Sequence, residues 1–264
     1  MKDKQSKKNR NPFHQKTPSK KLDEVISYPI RLNKYIAKCG ITSRRKAAEL
    51  VKQGQIKVND IVVREPYIEV SEHDQIAYEG NILQPETNLF YLLLNKPKDV
   101  ITSTADEKGR KTVLDLIPSQ GRGRLYPVGR LDRHTTGLLL ITNDGDLTTK
   151  LAHPSHQVRK EYVALLDEPL ADEHFEQILQ GLQLEDGLAK VIGLEYANSK
   201  QLNHIRIAIM MGRNRIVRRI FEHLGYKVKT LDRTYYAGLT KKGLPRGKFR
   251  HLSPREVIML KHFV

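Results

Sequence analysis

Between Leu125 and Gly145 the chain reads Leu-Tyr-Pro-Val-Gly-Arg-Leu-Asp-Arg-His-Thr-Thr-Gly-Leu-Leu-Leu-Ile-Thr-Asn-Asp-Gly. An apolar run of strand character ends in Gly129-Arg130-Leu131-Asp132, turns through polar residues and Gly137, and re-enters an apolar strand. That layout holds one carboxylate, Asp132, at the mouth of a turn between two buried strands. Packing gives no reason to place it there, because a buried unpaired charge is costly. For an isolated Leu-Asp pair the plainer reading is an aspartate capping its own turn.

The 264 residues leave room for one catalytic-size domain and a small module, and 39% hydrophobic content suffices for a core in the larger part. The net charge of +16, from 46 Lys+Arg against 30 Asp+Glu, favours a polyanion as partner. An acidic excess would serve solubility better. Residues 1–28 are rich in Lys, Ser, Asn, Gln and Pro and predict a disordered basic tail. Met1–Lys21 holds eight Lys/Arg against Asp3 alone, so more than half of the excess charge lies beyond it. The single cysteine, Cys39, excludes a disulfide within the chain and a four-thiolate zinc site. No apolar run approaches a membrane span, and the basic N-terminus lacks the hydrophobic region of a signal peptide. The expectation is a soluble, cytoplasmic protein, and nothing demands more than a monomer.

From residue 29 to 84 the texture is that of a small folded module. Leu32, Tyr35, Ile36 and Cys39 recur at helical spacing, and Gly40 closes that helix. Thr42-Ser43 reads as the N-cap of a second helix through Val51, ended by Gly54. Gln55–Val63 is two short strands around Asn59-Asp60, and Asp74–Tyr78 pairs with Ile82 across Glu79-Gly80-Asn81. Lys34, Lys38, Arg44, Arg45 and Lys46 cluster on the two helices, where they can meet phosphates beside the amides of a helix N-terminus. The alternative is a solvated basic face.

After a linker at Gln84–Asn88, residues 88–264 predict strands at 89–95, 124–130, 137–142, 160–166, 188–197, 202–210 and 226–236. Helices are expected at 146–152, 171–180, 214–223 and 254–261. Strands outnumber helices, which points to an α+β domain with a mixed, largely antiparallel sheet. In the third of these helices Ile216, Val217, Ile220 and Phe221 form the buried stripe. Arg215, Arg218 and Arg219 fall within one turn and cannot all be buried unpaired.

Gly129-Arg130-Leu131-Asp132 with Thr136-Gly137-Leu138-Leu139 resembles the catalytic motif of the RsuA/RluB/RluE/RluF family of pseudouridine synthases. The order helix, turn, basic helix, hairpin is similar to the S4-type RNA-binding module, matched at Arg31–Lys34, Ser43–Ala47 and Gly54–Asn59. Further matches are Lys160-Glu161-Tyr162, Gly212-Arg213-Asn214-Arg215-Ile216-Val217-Arg218-Arg219, Leu231, Asn95-Lys96-Pro97 and Lys242–Leu252. The resemblance implies isomerisation of a uridine in ribosomal RNA. The N1–C1′ bond breaks, the base rotates and C5 joins C1′, with no cofactor. It implies Asp132 as the nucleophile, Tyr162 stacked on the base or taking the late proton, Arg218 ion-paired to Asp132, and Leu231 beneath the base. Arg130, Lys96, Lys34, Arg44, Arg45, Lys46, Arg213, Arg215 and Arg219 are the candidate RNA contacts, Lys96 also being a candidate structural residue.

Gly181–Gly187, Gly212–Arg215 and Lys242–Gly247 look most like the RluB branch, which modifies large-subunit (23S) rRNA. The RsuA branch, acting on small-subunit RNA, shares the two-domain plan, and Phe221–Tyr226 is closer to the RluF branch. From another class, a catalytically silent RNA-binding or ribosome-assembly factor fits the charge equally well. His153-Pro-Ser-His156 has ligand-like spacing but no third ligand nearby, and Asn143–Asp146 lacks the rest of a calcium loop, so no metal is expected.

Overall fold

A computed structural model describes residues 26–118 and 123–262; the expected basic tail lies, apart from residues 26–28, outside the described residues. The N-terminal unit comprises β1 (Ile30–Arg31), α1 (Leu32–Lys38), α2 (Arg44–Lys52), β2 (Ile56–Val58), β3 (Ile61–Val63), β4 (Glu69–Val70), β5 (Ile76–Tyr78) and β6 (Asn81–Ile82). Ser43 caps α2 by accepting from the Lys46 amide. Asn59 and Asp60 both adopt positive φ, the conformation of a two-residue turn whose twist suits a hairpin. Leu32, Ile36, Ala47, Val51, Ile56, Val70 and Ile76 form one core. The β1–β4 pair had no sequence signature, because two residues a side display no periodicity.

The larger unit runs through β7 (Tyr91–Lys96), β8 (Tyr126–Pro127), β9 (Thr135–Thr142), α3 (Gly145–Ala152), β10 (Lys160–Leu166), α4 (Asp172–Gln180), β11 (Leu182–Leu184) and β12 (Gly187–Ala189). It continues with β13 (Gly193–Tyr196), β14 (His204–Ile209), α5 (Ile216–His223), β15 (Val228–Tyr236), β16 (Leu239–Thr240), β17 (Phe249–His251) and α6 (Pro254–His262). The main sheet has the order β13-β14-β10-β15-β9-β7-β17, with β16 on β15 and β8 on β9. Among the described residues, β9–β15 is the one parallel pair of this sheet. The chain is α+β, as expected.

The sheet is buried on both faces, which explains the unbroken apolar runs in β7 and β9. Leu92, Leu94, Leu139 and Ile141 point into one cluster with Tyr162, Leu231 and the α5 residues Val217, Ile220 and Phe221. Leu93, Leu138 and Leu140 point into the other, with Leu147 and Leu151 of α3 and Val257 and Leu260 of α6. Each fully buried leucine contributes about 1.5–3 kcal/mol.

Three sequence expectations are corrected. The strand at 124–130 shrinks to Tyr126–Pro127, because Pro127 has no amide to donate and Gly129 turns at φ +71°. The strand at 188–197 is two: β12 closes a hairpin with β11, and β13 forms an edge of the main sheet. Helix α5 begins at Ile216, not 214, because Arg215 is left-handed at φ +47°.

Helix α1 docks on α3. Lys34 and Lys38 both reach Asp146, at 2.8 and 3.1 Å, and the Glu86 amide donates to Lys38 O. Asp144 caps α3 and accepts from Tyr91 Oη at 2.8 Å, so this acidic stretch is structural.

Candidate active site

Asp132 is half-buried in the turn leading into β9, closed by the Thr135 amide on Asp132 O at 3.0 Å. The segment after β7 grips both sides of that turn. Thr102 Oγ1 donates to Leu131 O at 2.7 Å and accepts from the Leu131 amide at 3.2 Å. The Asp99 amide donates to Arg133 O at 2.9 Å, while the Asp99 carboxylate holds Arg133 at 3.3 Å and His134 at 3.2 Å. Beneath the turn lies Lys96, 0% exposed, whose ammonium donates to Pro97 O, Arg133 O and Thr135 O at 3.1, 3.2 and 2.9 Å. Every proton of that ammonium is therefore used. Burial pushes Lys96 down to about 8, against the pull of the Asp132 and Asp99 charges.

The sheet supplies the walls. Tyr162, 8% exposed on β10, lies across from Arg233 of β15, and Leu231, 5% exposed, lies across from Ala164 of β10 and Thr135 of β9. The parallel junction therefore places Leu231 against the residue that closes the Asp132 turn. Arg218, 8% exposed on α5, donates to Val228 O at 2.7 Å. Burial and the Arg215 charge lower its proton affinity, and the Asp132 charge opposes them. Arg218 thus lies within reach of the Asp132 charge, but its one hydrogen bond is to the Val228 carbonyl and it makes no contact ion pair with Asp132.

The site is one carboxylate on a clamped turn, two buried cations within reach of its charge, and an aromatic and an aliphatic side chain on the adjoining strands. The description "RNA pseudouridylate synthase" fits a family model that matches residues 90–223, and an S4 domain model matches residues 30–76. The chain belongs to the RNA pseudouridylate synthase family. It is 43% identical over 236 residues to ribosomal large subunit pseudouridine synthase B of Bacillus subtilis, covering 88% of this chain and 95% of that protein. Likeness to the Vibrio cholerae protein of the same name is 35% over 241 residues, covering 89% of this chain and 75% of that one. A solved structure titled "Crystal structure of pseudouridylate synthase" superposes with a TM-score of 0.64 at 29% identity, over 88% of this chain and 99% of that one.

Within this synthase fold the candidate RNA contacts divide. Arg44, Arg45, Lys46 and Arg130 are exposed. Lys34 is engaged by Asp146. Asp186, at the β11–β12 turn, holds Arg219 at 2.7 Å and Arg213 at 3.4 Å, and Glu222 holds Arg215 at 2.9 Å. The Arg219 pair keeps Asp186 down at about 2. Lys96 is corrected: it is not available to phosphate, because the turn carbonyls enclose it. Thr102 and Asp99 had no sequence signal, since their contacts with the Asp132 turn arise only when distant segments meet. Among the described residues no group of three His, Cys, Asp or Glu is placed to hold a metal.

Proposed function

We propose that the chain isomerises a uridine of large-subunit ribosomal RNA to pseudouridine, with Asp132 acting on the sugar or the base. The observation that carries this reading is the clamped turn: Lys96, Asp99 and Thr102 fix the backbone on either side of Asp132 while Lys96 and Arg218 supply positive charge. Preorganised donors and charge of this kind cost no reorganisation at the moment of reaction. Bond breaking at C1′ and bond making at C5 need no redox partner. Attack at C1′, attack on the ring and elimination all begin from a carboxylate in this place.

The uridine has to leave its stack to reach the turn. Leu231 and Tyr162 are the apolar and aromatic surfaces for the extruded base, and the Tyr162 hydroxyl is the candidate acceptor of the late proton. Residues 29–84 serve as the RNA-binding module, with Arg44, Arg45 and Lys46 on phosphates, and residues 88–264 as the catalytic domain. Large-subunit RNA is favoured by the two relatives named for that subunit.

The test is pseudouridine mapping across both ribosomal RNAs in cells lacking the protein, complemented with wild type or Asp132→Asn. One large-subunit site restored by wild type alone is expected. A small-subunit site would retain the chemistry and reassign the substrate. No site dependent on Asp132 would leave an RNA-binding factor.

A further inference from the structure

We propose that Asp232 is a positioning residue for the isomerisation: its carboxylate ties the segment bearing Lys241 and Arg246, through Thr136, to the turn that carries Asp132. The inference rests on the reading of Asp132 given above.

Asp232 follows Leu231 on β15 and lies opposite Thr136 in the parallel register. Its Oδ1 accepts from Thr136 Oγ1 at 2.7 Å and from Arg246 at 2.8 Å, and its Oδ2 accepts from Lys241. Three donors from two distant segments thus converge on one carboxylate that is only 24% exposed. Burial alone would raise its pKa, but the bonds from Arg246, Lys241 and Thr136 hold it below the usual carboxylate range.

Two routes lead from Asp232 to Asp132. Thr136 adjoins Thr135, whose amide closes the Asp132 turn. Arg246 also donates to Lys96 O at 3.3 Å, and the Lys96 ammonium holds the Arg133 and Thr135 carbonyls of the same turn. The Lys241–Arg246 segment is further pinned by Asn95, which donates to Leu244 O at 2.8 Å. Loss of the Asp232 charge would release Lys241 and Arg246 and loosen the Thr136 contact. Two released cations favour a polyanion, whereas a loosened turn slows chemistry that depends on placement. The two effects have opposite sign, which a residue that only holds the fold together would not produce.

The experiment is single-turnover tritium release from a large-subunit rRNA transcript labelled at uridine C5, with full-length enzyme in excess. RNA dissociation constants and thermal midpoints are measured on the same samples. Asp232→Asn is expected to slow the step about tenfold or more while RNA binds as tightly as to wild type, or more tightly. Asp232→Glu, which keeps the charge, should recover most of the rate. Arg246→Ala should slow the step as well, and it tests the same link if Asp232→Asn fails to fold. The double variant should be no slower than the worse single one. Rates within about twofold of wild type in Asp232→Asn and Arg246→Ala, a slowing matched by weaker binding, or a Glu variant no better than Asn would overturn the proposal. Absence of release by wild type would instead overturn the reading of Asp132.

Discussion

A lysine carries the strongest constraint at the scale of single residues. Lys96 ends a strand in an Asn-Lys-Pro sequence, and the sequence left it either structural or exposed to phosphate. The fold decides, because the three carbonyls that bind it come from the Pro97 and Arg133–Thr135 backbone. Lys96→Met strands those buried acceptors and is expected to cost roughly 3 kcal/mol in urea denaturation. A loss under about 1 kcal/mol would mean the turn stands without it. A pH effect follows from the same bonds. A neutral amine has only two N–H groups for three carbonyls, so activity should fall as pH rises through about 8. Stability responds in the opposite direction. The unfolded lysine keeps its proton up to the ordinary value of 10.5, so between about 8 and 10.5 the unfolded chain binds more protons and this group favours folding more as pH rises. Lys160, also pushed down to about 8 by burial, is the competing assignment, and an alkaline limb retained in Lys160→Gln excludes it. Asp132, Tyr162 and Arg218 could be singled out from sequence because each stands in a motif of several residues. Thr102 and Asp99 could not, since nothing local marks a hydroxyl or amide that meets a turn some 30 residues later.

Among the elements, the junction of β9 with β15 decides the geometry. It is the parallel pair of the sheet, and Gly137 lies opposite Arg233 across it. In the sequence Gly137 reads as a turn glycine, but its reason is close approach. A Cβ there would sit 2.2 Å from Arg233 O and 2.5 Å from Arg233 N, on a backbone with φ +110°. Gly137→Ala is therefore expected to cost more than about 3 kcal/mol, or to prevent folding, as read by circular dichroism melting. A variant melting within a few degrees of wild type would show that the strands can part. The regular elements were legible because their periodicity is strong: β10 matches its expected bounds, and α3, α4 and α6 differ by a residue. What escaped was short or irregular. Strands β1 and β4 have two residues each, and β12 and β13 read as one run because a change of sheet leaves no mark in hydrophobicity.

For the whole molecule, charge is distributed with purpose. Lys34 and Lys38 secure α1 to α3 through Asp146, whereas Arg44, Arg45 and Lys46 at the start of α2 stay exposed. The two-part plan was legible from the shift in texture near Gln84–Asn88, but the docking of the parts was not, because Asp146 looked like a failed calcium loop. Arg44→Ala combined with Arg45→Ala should weaken RNA binding and reduce the slope of log affinity against log salt by roughly two phosphate contacts. An unchanged slope would remove α2 from the RNA interface. On the proposed function one carboxylate on a clamped turn performs the isomerisation, and RNA binding alone does not require it. Tritium release from C5-labelled large-subunit rRNA by purified wild type and Asp132→Asn, with RNA affinity measured in parallel, tests this most directly. Release by wild type, none by the variant, and affinities within a few-fold of each other are expected. Equal release by both proteins, or a variant that fails only because it no longer binds RNA, would contradict it.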